Sequence, residues 1–185
     1  GANVNATDIN GKTALMHAAE AGHVSAIQDL LTYGANPNGK SVVGMSVLMY
    51  AVTSGSTSAV QVLSRQPLSG ATDSNLEGDN ILTLALKAPC DPLSMLRILK
   101  GANLGLSPSL RIDGMPVLFW AISVNKSPEV VKYLMDWYKN PKTLLSERDE
   151  DGHNLTFYAE YYDRDEVRDK LEHIAKITGK TQQSK

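Results

Sequence analysis

Four histidines, His17, His23, His153 and His173, are the chain's candidate general bases and metal ligands. They lie far apart, and none forms the paired-ligand motif that a helix-borne metal site requires. Cys90, the single cysteine, sits between Pro89 and Asp91-Pro92 with no histidine in its own stretch to activate it. The acidic run Glu147-Arg148-Asp149-Glu150-Asp151 lacks calcium-loop spacing and reads as a solvated loop that could meet a basic partner or a cation. No glycine-rich loop cradles a phosphate. These residues predict no catalysis in this segment, no metal and no cofactor. What remains is binding chemistry, and it is aromatic: Tyr50, Trp120, Tyr158, Tyr161 and Tyr162. Rings supply large contact areas, and aromatic residues are enriched where partners dock.

Composition narrows the partner. The 185 residues carry a net charge of −2, so no general field draws the chain to nucleic acid or to an anionic membrane. No apolar run approaches the roughly 20 residues that a membrane helix needs. A lone cysteine excludes an intrachain disulfide framework and fits a reducing, cytoplasmic compartment. The expectation is a monomer that binds a protein or peptide, without nucleic acid and without membrane insertion.

The elements that position these side chains repeat. A glycine recurs at Gly11, Gly44, Gly78, Gly114 and Gly152, at intervals of 33, 34, 36 and 38 residues. Four residues after each comes Leu15, Leu48, Leu82, Leu118 and then Thr156, and seven after each comes Ala18, Ala51, Ala85, Ala121 and Ala159. A period near 33 residues marks a stacked repeat, in which each unit is too small to bury its apolar face alone. Thr13 to about Glu20 and Val24 to about Tyr33 read as a short inner and a longer outer helix, with Leu15 and Ala18 on one face. Pro67 ends the outer helix of the second repeat. Asp91 before Pro92, and Ser127 before Pro128, read as N-caps with proline in the first turn. Asp163-Arg164-Asp165-Glu166 reads as a capping box for a last helix whose Val167, Leu171 and Ile174 face inward. Where Thr156 breaks the leucine series, Leu155 or Phe157 takes over its role. The connection from Gly101 to Gly114 is long, and so is the exit through Trp137-Tyr138-Lys139-Asn140-Pro141.

The first repeat carries Asp8-Ile9-Asn10-Gly11-Lys12-Thr13-Ala14-Leu15, then Ala18-Ala19, Gly22-His23, and Leu30-Leu31-Thr32-Tyr33-Gly34-Ala35-Asn36-Pro37-Asn38. This resembles an ankyrin repeat, with Ala14 and Met16 in place of the family's usual proline and histidine. The resemblance covers almost the whole chain and weakens toward its end. It implies an all-α ankyrin-repeat solenoid of helix-turn-helix units with finger loops. Residues 1–177 form the repeat domain: the tail of a preceding repeat at 1–6, then repeats at about 7–39, 40–73, 74–107, 108–147 and 148–177. Residues 178–185 are expected to be a disordered polar tail.

The resemblance also implies a protein-interaction scaffold, cytoplasmic in location; in a chain from an intracellular pathogen that would be the host cytosol. A second reading makes it the targeting or regulatory part of a larger enzyme. In ankyrin arrays the fingers and inner helices line a concave groove, and by resemblance the sixth residue after each glycine points into it. That row is His17, Tyr50, Leu84, Trp120 and Tyr158. The residue after each glycine adds Lys12, Met45 and Met115 among others, and the finger tips carry Ile9, Val42, Val43, Leu76 and Ile112. The expected partner-binding set is thus His17, Tyr50, Leu84, Trp120, Tyr158, Lys12, Met45, Met115, Ile112 and Tyr162. Large aromatics at these places either line the groove or pack against neighbouring inner helices. A sharper variant groups Trp120, Tyr158, Tyr161 and Tyr162 into a cage for a methylated lysine, held by cation–π attraction.

Overall fold

The computed structural model describes residues 1–107, 109–112, 114–124 and 126–183. Helices dominate, as an all-α repeat fold requires. They fall into two compact units, divided between Leu106 and Ser107.

The first unit contains three helix pairs: α1 (Ala14–Glu20) with α2 (Val24–Thr32), α3 (Val47–Thr53) with α4 (Thr57–Leu63), and α5 (Ile81–Lys87) with α6 (Pro92–Gly101). The short helices stack α1 on α3 on α5, and the outer ones α2 on α4 on α6. The N-cap of each inner helix lies two residues after its glycine, where a polar side chain satisfies an otherwise unpaired N–H. Thr13 Oγ1 accepts from Met16 N at 3.3 Å, Ser46 Oγ from Met49 N at 3.2 Å, and Asn80 Oδ1 from Leu82 N at 3.0 Å. Leu15, Leu48 and Leu82 are buried together with Ala18, Ala51 and Ala85, so the repeated offsets are the core. Asp91 caps α6 and Pro92 opens it, as the sequence predicts.

In the second unit a two-stranded hairpin, β1 (Arg111–Ile112) with β2 (Met115–Pro116), leads into α7 (Val117–Ser123). Then come α8 (Pro128–Met135), α9 (Pro141–Ser146), α10 (Leu155–Tyr161) and α11 (Asp165–Gln183). Helix α10 packs on α7, and α11 packs on α8, α9 and α10. Leu118, Ala121 and Ala159 are buried, and of the two residues flanking Thr156 Leu155 is buried while Phe157 is exposed.

Three local expectations change. The long exit after α8 holds the extra helix α9, capped by Asn140 Oδ1 on Lys142 N at 2.9 Å and opened by Pro141. Asp163 is left-handed, with φ of 51°, and its N–H closes the turn on Glu160 O, so it does not open a capping box; α11 starts at Asp165. Helix α11 continues to Gln183, whereas the sequence predicts a disordered tail from Thr178. Thr178 Oγ1 donates to Ile174 O, and a helix already nucleated gains one backbone bond for each residue added.

Candidate protein-interaction surface

Four of the fingers are tight turns closed by their own backbone. Asp8 N donates to Lys12 O at 2.9 Å, Ser41 N to Met45 O at 3.0 Å, Asn75 N to Asp79 O at 2.9 Å and Asp149 N to His153 O at 3.1 Å. The first residue also folds its side chain over the turn. Asp8 Oδ1 accepts from Asn10 N and Lys12 N, both at 2.9 Å, and Asn75 Oδ1 accepts from Glu77 N at 3.0 Å and Asp79 N at 2.9 Å. The backbone N–H of Lys12 is the largest influence on Asp8 and holds its carboxyl below the usual range.

In the first unit the fingers also join one another. Val42 N donates to Asn10 O at 2.9 Å, and Leu76 N to Val43 O at 3.0 Å. Gly44 permits this approach: its φ is +78°, and a Cβ there would lie 3.3 Å from Asn75 Cα. The linked turns hold four aliphatic side chains in water, Ile9 at 97% exposure, Val42 at 67%, Val43 at 51% and Leu76 at 77%. The sequence places these residues at finger tips, and there they stand.

The aromatic row lies elsewhere. Tyr50, Leu84, Tyr158 and Met45 are buried, which corrects the expectation that they face a partner. The two tyrosines are held inside by a hydrogen bond from the inner helix back to the base of their own finger, a bond that exposed His17 also makes, while Leu84 and Met45 are buried as apolar side chains. Tyr50 O–H donates to Ser41 Oγ at 3.0 Å, Tyr158 O–H donates to Asp149 Oδ2 at 2.8 Å, and His17 Nε2 meets Asp8 Oδ2 at 2.9 Å. Each partner is nine residues earlier. A ring can be buried cheaply when its polar tip is satisfied in this way. The row therefore clamps the fingers to the helices. The signal in the sequence is a polar acceptor three residues before the glycine with Tyr or His six after it. Leu84 breaks the pattern, and there Lys87 Nζ holds Asp79 Oδ1 at 2.6 Å instead.

Among the other expected site residues, His17 is exposed beside Asp8, and Trp120 and Met115 are half-buried. Ile112 lies in β1, with its side chain outside the described residues. Lys12 Nζ sits 4.5 Å above the Tyr50 ring and pairs with Glu20 at 2.8 Å, covering that ring. The hydrogen bond to Glu20 raises the Lys12 pKa. Tyr162 is exposed. Tyr158 is no open wall of a cage: its hydroxyl is engaged and its ring lies 5.0 Å from that of buried Phe119. Burial pushes the Tyr158 phenol well up, helped by the Asp149 carboxylate beside it.

Asp149, Asp151 and His153 bring possible metal-ligand atoms within 4.8 Å of one another. Asp149 already accepts from His153 N at 2.8 Å and from Tyr158 O–H, so these groups build a finger turn. Burial raises the Asp149 carboxyl pKa, but its hydrogen bonds from Tyr158 and His153 outweigh that and leave it lowered. Burial raises the Cys90 pKa, keeping it a thiol at neutral pH and a poor nucleophile. Among the described residues no helix is long and apolar enough to cross a membrane.

Residues 1–76 match the family model of ankyrin repeats (3 copies). No curated protein matches the chain. Ankyrin repeats are interaction modules that bind other proteins. Over residues 1–76 the chain is similar to ankyrin repeats, and the helix pairs and finger turns of the first unit stand behind that match.

Proposed function

We propose that the chain binds a partner protein through the finger edge of its first unit, with Ile9, Val42, Val43 and Leu76 as the apolar contacts. The observation that carries this reading is their exposure on turns locked to each other by backbone hydrogen bonds. Aliphatic side chains in water gain about 25 cal/mol per Å² when a partner covers them. A surface already held rigid loses little conformational entropy on binding. The fingers thus supply area and preorganisation, and buried Tyr50, bonded to Ser41, supplies stiffness beneath them.

The test is affinity capture with the whole chain, wild type against Ile9→Ser plus Leu76→Ser. Both side chains project into water, so circular dichroism and the melting temperature should not change. A partner retained by the wild type and lost by the double variant is the expected result. A partner held equally by both proteins places the interface elsewhere and refutes the reading.

A further inference from the structure

The second unit presents a different surface. His153, Phe157 and Tyr161 form a column of rings along α10: His153 and Phe157 stack at 4.0 Å between centroids, and Phe157 and Tyr161 at 5.7 Å. Tyr162 meets Tyr161 edge-on at 5.0 Å. Tyr161 ends the column at 71% exposure, and Phe157 is 39% exposed.

This exposure is peculiar to the fifth repeat. The residue five after each glycine is Met16, Met49, Thr83 and Phe119 in the other repeats, all buried. The residue eight after is Ala19, Val52, Leu86 and Ile122, again all buried. In α10 these two places hold Phe157 and Glu160, both open to water. An aliphatic surface stacked here, from a further helix pair or a second copy, would bury Glu160 without a counter-charge, which is costly. Asp151, Glu160 and Asp163 are exposed and form no ion pair among the described residues.

We propose that this face of α10 receives an arginine side chain from a basic segment of a partner protein. A guanidinium is planar, stacks on aromatic faces and carries the charge that the neighbouring carboxylates lack. It would extend the ring column from the open face of Tyr161. Arginine suits the site better than lysine, whose ammonium is compact and strongly hydrated. This inference concerns the second unit and stands apart from the finger edge.

The probe is a short synthetic peptide alternating arginine and glycine, titrated into the 185-residue chain by calorimetry, with a lysine–glycine peptide beside it. The arginine peptide should bind about five-fold more tightly than the lysine peptide. Tyr161→Ala should weaken it about five-fold or more, Tyr161→Phe should keep it, and Glu160→Gln should weaken it several-fold. Tyr161 is mostly in water, so its variants should melt with the wild type. Ile9→Ser plus Leu76→Ser should leave the peptide affinity unchanged, which separates this surface from the finger edge. Equal affinities for the two peptides, or full binding by Tyr161→Ala, reduce the effect to general acidic attraction and overturn the proposal. So does self-association of the chain abolished by Tyr161→Ala.

Discussion

Neighbouring fingers of the first unit meet backbone to backbone, while those of the second are joined by side chains. Val42 to Asn10 and Leu76 to Val43 are the first kind. A parallel ladder runs at the repeat exits, where Asn5 Oδ1 accepts from Asn36 N at 2.7 Å and Asn38 Oδ1 from Ser69 N at 2.8 Å. In the second unit Arg111 reaches from the β1–β2 hairpin to Arg148 O at 2.8 Å and also bonds Gly114 O. Lys170 reaches from α11 to Asp136 at 2.7 Å, and Lys132 pairs with Glu166. Glu147 accepts from Ser109 Oγ at 3.3 Å and from Tyr138 O–H. Burial and the neighbouring Glu147 push that phenol well up. The glycine spacing grows from 33 to 38 residues along the chain. Equal spacing puts the same backbone groups opposite each other in every repeat. Once a longer finger and α9 are inserted, those groups no longer align, and flexible polar side chains span the difference.

Substitutions can break or sharpen this contrast. The largest effect is expected at a feature both units share, the buried inner-helix face. Phe119→Ala empties a fully buried site against Tyr158 and should cost about 3–5 kcal/mol, read from the denaturant midpoint. A loss below 1 kcal/mol would mean that this face is not packed.

Next come the turns. Gly44→Ala strains a positive φ and pushes a Cβ against the next finger, for a cost of about 2 kcal/mol. Gly152 has φ of +84° with open space around it, so Gly152→Ala should cost about 1 kcal/mol. Equal losses in thermal unfolding would remove backbone contact as the distinguishing feature of the first unit.

Tyr158→Phe keeps the ring and removes the bond to Asp149. A hydrogen bond to a charged group suggests a loss of about 1.5 kcal/mol at neutral pH. Asp149 has a lowered pKa in the folded chain, so its contribution is present above the ordinary Asp value of about 3.9 and fades as pH falls through the lowered one. Without the Tyr158 bond the folded pKa rises toward the ordinary value. The stability gap between variant and wild type should therefore be full at neutral pH and close in acid. A gap that does not change between pH ~7 and pH ~2 would show that the bond is not to an ionised carboxylate.

The smallest effect is expected at Arg111→Lys, which keeps the charge and loses the fork to two carbonyls. It should cost about 1 kcal/mol. No loss in chemical unfolding would remove Arg111 from the joints of the second unit.

Much of the fold was legible in the residues. The leucine and alanine offsets marked the buried faces because burial depends on helical period and size. Asp91-Pro92 and Ser127-Pro128 marked helix starts because within a helix proline is tolerated in the first turn and a capping side chain precedes it, and both caps are present. Finger-tip placement of Ile9, Val42, Val43 and Leu76 followed from counting back from the glycine. Helix α9 was hidden because its six residues are too few to show a period.

The sequence by itself determined the repeat, its helices, the core and the residues at the turns, since these rest on interactions local to one repeat or copied between neighbours. Only the tertiary structure decided that Tyr50 and Tyr158 lie inside while Phe157 and Tyr161 lie outside. That choice depends on whether a folded finger offers an acceptor to the ring's hydroxyl and on whether another helix covers the ring, and neither is encoded in the ring's own position along the chain.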